Sequence, residues 1–131
     1  MKKWWLALAI SIPLCAYSQS SYLCIADATT GFRYDNNSKE WVKTSFKTAD
    51  DKYILKKNQE GWEWLEFGSK TGMQCGEINE YGWLHCTLWS GSLKFNKNNL
   101  RYLRTYDAGY VDGKNNNDNT PLISIGKCSP L

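Results

Sequence analysis

The sequence is poor in the residues from which many active sites are built. Among its 131 residues there is one histidine, His85, and it has no second histidine or cysteine at a spacing typical of a zinc site. The charges nearly balance, with 16 basic and 13 acidic residues. This balance argues against the strongly basic surface of a nucleic-acid-binding protein. We therefore expect no cofactor, no metal and no nucleic-acid partner.

Long apolar runs are also lacking, except at the start of the chain. Two lysines precede an apolar stretch over residues 4–14, and Ala16-Tyr17-Ser18 forms a small-x-small site. This arrangement predicts a signal peptide, residues 1–18, that is cleaved before Gln19. The stretch is shorter than the about 20 apolar residues that cross a membrane, so we expect no membrane span after cleavage.

Cys15 leaves an alternative open. A lipid-anchored exported protein carries its modified cysteine at the end of such a stretch, but a small residue usually precedes it. Here Leu14 precedes Cys15, so the unlipidated form is favoured. Removal of residues 1–18 takes away two lysines and no acid, which leaves a nearly neutral chain.

Four cysteines remain after that cleavage, and an even number in a small exported domain predicts two disulfides. They are Cys24, Cys75, Cys86 and Cys128. Disulfides form in oxidising compartments, so we predict a periplasmic or secreted protein.

Residues 19–131 consist of short aromatic and β-branched runs separated by Gly, Asn, Asp and Ser clusters. The pattern is typical of an antiparallel β protein. We predict a single all-β domain of about seven or eight strands, either a small meander barrel or a strongly curved sheet. The runs are 22–27, 31–35, 41–48, 52–57, 62–68, 73–77, 83–89, 92–95, 100–106 and 122–128. The run 100–106 also fits a capped helix, although a strand is favoured.

The runs 73–77 and 83–89 are predicted to pair as a hairpin about residues 79–82. If the two ends of that turn face each other, Cys75 lies opposite Cys86. Cα atoms at a close antiparallel pair are about 4.5–5.5 Å apart, a distance that a disulfide spans. The hairpin therefore favours a Cys75–Cys86 disulfide.

This pairing leaves Cys24 to bond to Cys128. The second disulfide ties the first strand to the last, which suggests that the ends of the sheet meet, as in a closed barrel. Such a long closure constrains the unfolded chain by about 4–5 kcal/mol in the entropic model.

Several residues have both a catalytic and a structural interpretation, and the structural one is favoured for each. His85 shares one strand face with Trp83 and Thr87, two residues away on either side, and is interpreted as a packed or surface residue. Two acids suit glycoside hydrolysis only at a fixed separation and with one raised pKa, which a sequence does not show. The acids that could form such a pair are Glu60, Glu63, Glu66, Glu77 and Glu80.

Two further features have both a binding and a structural interpretation. The tryptophans 62, 64, 83 and 89 form either a core or a ligand platform, and core filling is the favoured interpretation. Residues 107–113 hold two acids and two glycines, but they do not match the spacing of an EF-hand calcium loop. A turn with glycines at positive φ is favoured there.

The Tyr22-x-Cys24 opening, the Gly109-Tyr110 turn and the Ile125-Gly126-Lys127-Cys128 ending resemble a group of small exported bacterial proteins of uncharacterised function. That resemblance implies no activity.

A weaker resemblance is to the periplasmic and membrane-bound inhibitors of c-type lysozyme. These are small antiparallel β-barrels in which an early Y-x-C and a late cysteine form a disulfide. The segment Ser90-Gly91-Ser92-Leu93-Lys94-Phe95 is similar to the Ser-Gly-Ala-x-Tyr type motif on their loop that enters the lysozyme cleft. The resemblance implies that Ser90 is the inserted serine, with Ser92 as the rival and Lys94 beside them.

We therefore predict a non-catalytic binding protein that inhibits a cell-wall hydrolase such as lysozyme. The first alternative is a carrier of a small ligand, since a β-barrel of this size can hold one ligand. The second is a structural or interaction protein.

Overall fold

The structure is a computed structural model that describes residues 20–131. The predicted signal peptide, its cleavage site and Cys15 lie outside the described residues. Every strand pairing within them is antiparallel, which confirms the predicted all-β class. The elements are β1 (Ser21–Asp35), β2 (Glu40–Phe46), β3 (Lys52–Asn58), β4 (Gly61–Glu66), β5 (Met73–Gln74), β6 (Trp83–Leu88), β7 (Gly91–Asn96), β8 (Arg101–Tyr106), α1 (Ala108–Val111) and β9 (Leu122–Pro130).

The strands form one sheet in the order β5-β4-β3-β1-β9-β8-β7-β6, and β2 pairs with β1 beside that path. The sheet curves until its two end strands approach each other, and the Cys75–Cys86 disulfide links the residue that follows β5 to β6. The result is a nearly closed barrel of eight strands. A second disulfide, Cys24–Cys128, joins β1 to β9. Both predicted disulfides are therefore confirmed.

β1 is long because it belongs to two parts of the sheet. Residues 21–25 pair with β3, and residues 29–35 pair with β2. β9 pairs with both halves, and the register shifts between Ala26 and Ala28. A bulge of this kind bends a strand and increases its twist. The predicted runs 22–27 and 31–35 are thus one continuous, bent strand.

The segments 73–77 and 83–89 do not form the predicted hairpin ladder. β5 has two residues and pairs with β4 instead. Trp62 N donates to the Gly76 carbonyl at 3.1 Å, and Cys75 N donates to the Trp62 carbonyl at 2.6 Å. These backbone groups bond to β4 and not to β6, so the predicted pairing of 73–77 with 83–89 is wrong. The Cys75–Cys86 disulfide that this pairing suggested is nevertheless present.

The stretch 100–106, predicted as a strand with a capped helix as the alternative, is strand β8 from Arg101 onwards. Leu100 completes the preceding turn at φ 60°, and its N–H donates to the Asn96 carbonyl at 2.8 Å. The Asn-rich turn reverses the chain between β7 and β8, as predicted.

Side chains fill the inside of the barrel. Trp62 and Trp64 are almost fully buried, which confirms the core interpretation for these two tryptophans. Trp83 and Trp89 are exposed, contrary to that interpretation, because Trp83 points outward from β6 and Trp89 lies in the turn after it. The buried cluster consists of Tyr22, Cys24, Tyr53, Leu55, Trp62, Trp64, Cys75, Leu84, Cys86, Leu93, Phe95, Tyr102 and Cys128.

The two disulfides also bear on the environment of the protein. Disulfides persist in oxidising compartments and are rare in the reducing cytoplasm, so this fold is typical of a non-cytoplasmic protein. Between residues 20 and 131, no helix combines the length and the apolar character needed to cross a membrane.

Candidate functional site

The β6–β7 hairpin ends in a tight turn, residues 89–91, that we call the tip. Leu88 pairs with Gly91, so Trp89 and Ser90 form the connection between the strands. Trp89 is 87% exposed, whereas Ser90 is half-buried beside it. The tip therefore presents one large aromatic side chain and one serine at an end of the barrel.

Neighbouring segments hold the tip in place. Asp107 N donates to the Ser90 carbonyl at 3.0 Å. Ser92 N donates to Thr105 Oγ1 at 3.1 Å, and the two hydroxyl oxygens lie 3.1 Å apart. A Cβ on Gly91 would lie 2.1 Å from the Thr105 carbonyl oxygen, so only glycine allows this close approach of β7 to β8.

The three residues predicted to bind a partner have different environments. Ser90 lies at the tip. Ser92 lies two residues further on, in β7, where its hydroxyl forms a hydrogen bond with the Thr105 hydroxyl. Lys94 follows on the same outer face, exposed and opposite His85 and Leu103. The structure thus places Ser90 in the tip, Ser92 next to the tip and Lys94 on the outer wall of the barrel.

A concave aromatic surface lies near the tip. We call the side chains of Phe32, Trp41 and Tyr110 the aromatic corner. The ring centroids of Trp41 and Tyr110 lie 5.8 Å apart with an interplanar angle of 77°, so the two rings meet almost at a right angle. Together with Asp107, Val111 and Pro121, the corner lines an open cavity of about 490 Å³.

The Asn-rich loop between α1 and β9 positions this corner. Asn117 Oδ1 accepts from Tyr34 N at 2.7 Å, and Asn117 Nδ2 donates to the Tyr34 carbonyl at 2.9 Å. Trp41 Nε1 donates to Asn115 Oδ1 at 3.3 Å. Tyr34 packs on Trp41 with a centroid distance of 5.7 Å. The side chains of the loop thus fix the aromatic rings that β1 and β2 present.

Asp107 connects the tip with the aromatic corner. Besides the cavity of the corner, it lines a depression of about 270 Å³ with Trp89, Val111 and Asp112. It also lines a groove of about 390 Å³ along β1, β8 and β9. Tip and corner therefore belong to one continuous, largely apolar surface.

Residues 107–113, predicted as a turn with a calcium loop as the alternative, form the single helical turn α1 and its flanks. Gly113 has a φ of 75°, as the favoured interpretation predicted. Gly109 instead lies buried in α1, where a Cβ would overlap the Asn119 carbonyl group. In the part of the chain that the structure describes, no group of three or more acidic, His or Cys side chains is arranged to hold a metal ion.

His85 and the five glutamates that have a catalytic interpretation are not among the residues that line this surface. His85 is exposed on the outer wall, with its ring 6.1 Å from that of Trp83. Lys56 forms an ion pair with Glu63 at 3.5 Å, and Lys57 forms one with Glu77 at 2.9 Å. These contacts fit the structural interpretation of the two acids.

Three tyrosines belong to the buried core of the barrel. Burial raises the pKa of Tyr22, Tyr53 and Tyr102 above the ordinary value of 10.0. The Arg104 guanidinium lies over the Tyr53 ring, 5.6 Å from its centroid, and partly opposes the rise in the Tyr53 pKa.

The aromatic corner is not among the sites predicted from the sequence. Phe32 and Trp41 lie on the two arms of the β1–β2 hairpin, and Tyr110 is far away in the chain. The sequence signal that points to part of the corner is the alternation of Phe32 with Tyr34, which places both on one strand face.

Comparisons of the chain with family models, with curated proteins and with solved structures gave no match.

Proposed function

We propose that the chain is an exported, non-catalytic protein that works in the periplasm or outside the cell and inhibits a cell-wall hydrolase such as a c-type lysozyme. The observation that carries this proposal is Trp89, which stands 87% exposed beside Ser90 at the end of a narrow hairpin. Buried tryptophans contribute much of the binding energy in protein interfaces, and a narrow tip can enter a cleft.

The way the tip is held supports the same proposal. The Ser90 carbonyl accepts a hydrogen bond from Asp107 N, and Ser92 N donates one to Thr105 Oγ1 of β8. A loop that is ordered before binding loses less conformational entropy when it docks. Ser90 and Trp89 would make the contact, Ser92 would brace the tip, and Lys94 would lie at the rim.

The apolar surface beside the tip adds contact area. Tyr110 and Val111 are 63% and 81% exposed, and Phe32 is 51% exposed. Contiguous exposed apolar patches mark interaction sites on many proteins. The resemblance of residues 90–95 to the lysozyme-inhibitor motif supports a hydrolase as the partner. The carrier alternative stays a prediction, and the side-chain-filled interior does not favour it.

The test uses the oxidised protein at micromolar excess over a c-type lysozyme, with lysis of a peptidoglycan suspension followed by turbidity. We expect slower lysis, and we expect Ser90→Trp and Trp89→Ala each to weaken inhibition at least about tenfold. Lys97→Trp is the matched control, because Lys97 lies exposed in the turn at the opposite end of β7. Absence of inhibition, or equal inhibition by all variants, would contradict the proposal.

A further inference from the structure

The aromatic corner combines two features that favour a positive charge. The faces of aromatic rings carry negative electrostatic potential and attract cations within about 6 Å of the centroid. Trp41 and Tyr110 meet at 77°, and Phe32 lines the same cavity, so a guest in the corner contacts more than one ring. The hydrogen bond from Trp41 Nε1 to Asn115 keeps its ring in this orientation.

Asp107 adds a full negative charge to the same cavity. Within residues 20–131 its carboxylate forms neither an ion pair nor a side-chain hydrogen bond, and it does not cap α1. The neighbouring cation, Lys43, pairs with Phe32 across the hairpin and lines the adjacent groove. Among the described residues, the cation–π contact is that of Arg104 with Tyr53. Lys43 forms no such contact with the rings of the corner and does not line its cavity.

The size and lining of the cavity indicate the kind of cation. Its volume of about 490 Å³ lies in the range of small-molecule sites. Val111 and Pro121 line it with apolar groups, which suit a methylated ammonium better than a strongly hydrated primary ammonium. We propose that the aromatic corner and Asp107 form a binding site for a small quaternary ammonium compound. The site adjoins the tip, but cation binding there does not require the contacts that Trp89 and Ser90 are proposed to make with a hydrolase.

Nuclear magnetic resonance of the oxidised, ¹⁵N-labelled protein tests the proposal. Tetramethylammonium chloride replaces sodium chloride at constant ionic strength, and the indole N–H signals are followed. We expect the Trp41 signal to shift with saturation and a Kd of about 1–10 mM, while the signals of buried Trp62 and Trp64 stay in place. Choline should act in the same way. Trp41→Phe assigns the signal.

The neutral isostere of choline, 3,3-dimethylbutan-1-ol, separates charge recognition from apolar binding. We expect it to bind at least about fivefold more weakly than choline. Asp107→Asn should weaken choline binding about two- to fivefold, because it removes the charge and keeps the shape. The matched control Asp112→Asn removes the same charge next to Trp89, outside the corner, and should leave binding unchanged.

Three outcomes would overturn the proposal. The first is no shift of the Trp41 signal at about 100 mM tetramethylammonium. The second is equal binding of the neutral isostere, which would leave an apolar cavity only. The third is tighter binding of Nα-acetyl-lysine methylamide than of choline, which would assign the corner to a lysine side chain of a protein partner. The proposed inhibition is carried by Trp89 and Ser90 and is measured by turbidity, so loss of inhibition in the tip variants and loss of cation binding at Trp41 are separate results.

Discussion

Cys24 and Cys128 face each other across β1 and β9 with their Cα atoms 3.9 Å apart, and their disulfide joins positions 104 residues apart in the chain. The other disulfide, Cys75–Cys86, joins positions only 11 residues apart. A cross-link that closes a longer loop removes more conformational freedom from the unfolded chain. The first disulfide should therefore stabilise the fold more than the second.

The first prediction compares the two disulfides by double substitution to alanine. Loss of Cys24–Cys128 should lower the free energy of unfolding by about 4–5 kcal/mol, and loss of Cys75–Cys86 by about 3 kcal/mol. All four cysteines are buried, so the lost packing is similar in both variants. Urea unfolding followed by tryptophan fluorescence measures the difference. A larger loss for the shorter closure would contradict the loop-entropy argument.

Much of the barrel was predictable because strand faces alternate with a period of two. Tyr53 and Leu55 point inward and are buried, and His85 points outward between buried Leu84 and Cys86, as that period requires. Strand partners are harder to predict, since they depend on contacts that are distant in the sequence. β5, the start of the segment 73–77, pairs with β4 and not with β6. The approach is close, since a Cβ on the preceding Gly72 would lie 2.2 Å from the Trp64 carbonyl oxygen.

The candidate site was only partly predictable, for the same reason. Ser90 and Ser92 are marked by a local motif, and their place at a hairpin end follows from the neighbouring strands. The aromatic corner depends on β2 pairing with β1 and on a loop that returns to both strands. Phe32 and Tyr110 are brought together by these long-range contacts, which no local pattern specifies.

A second prediction concerns Gly91, which lets β7 approach β8 at the tip. Gly91→Ala should lower the free energy of unfolding by about 1–3 kcal/mol, because its Cβ would lie 2.1 Å from the Thr105 carbonyl oxygen. Gly76→Ala is the control, since a Cβ there meets no atom within 4 Å, and its effect should stay within about 0.5 kcal/mol. Thermal or urea unfolding compares the two. Equal effects would show that the tip yields to the added methyl group.

A third prediction concerns the turn between β1 and β2. Lys39 has a φ of 60°, and its N–H donates to the Asp35 carbonyl at 2.8 Å. The left-handed conformation costs a non-glycine residue about 1–2 kcal/mol, which glycine avoids at a smaller entropic cost. Lys39→Gly should therefore stabilise the protein by about 0.5–1 kcal/mol.

Ser38→Gly is the matched control in the same turn. Ser38 is exposed like Lys39, but its φ is not positive, so glycine brings no conformational relief. This variant should lose about 0.5–1 kcal/mol. The free energies of unfolding of both variants are measured in urea at neutral pH. Stabilisation by both, or by neither, would contradict the assignment of strain to Lys39.

The last prediction follows from the buried tyrosines. Burial raises the pKa of Tyr102 and Tyr53 in the folded state, so above pH 10 the folded protein binds more protons than the unfolded chain. Stability is then complete below about pH 10 and falls as the pH rises further, by up to about 1.4 kcal/mol per pH unit for each such tyrosine. Urea unfolding between pH 9 and about pH 11 measures this slope. Tyr102→Phe should make the slope shallower, while Tyr81→Phe, which removes a side-chain hydroxyl from a residue that is 70% exposed, serves as the control. An unchanged slope in Tyr102→Phe would show that burial of Tyr102 does not govern the alkaline loss of stability.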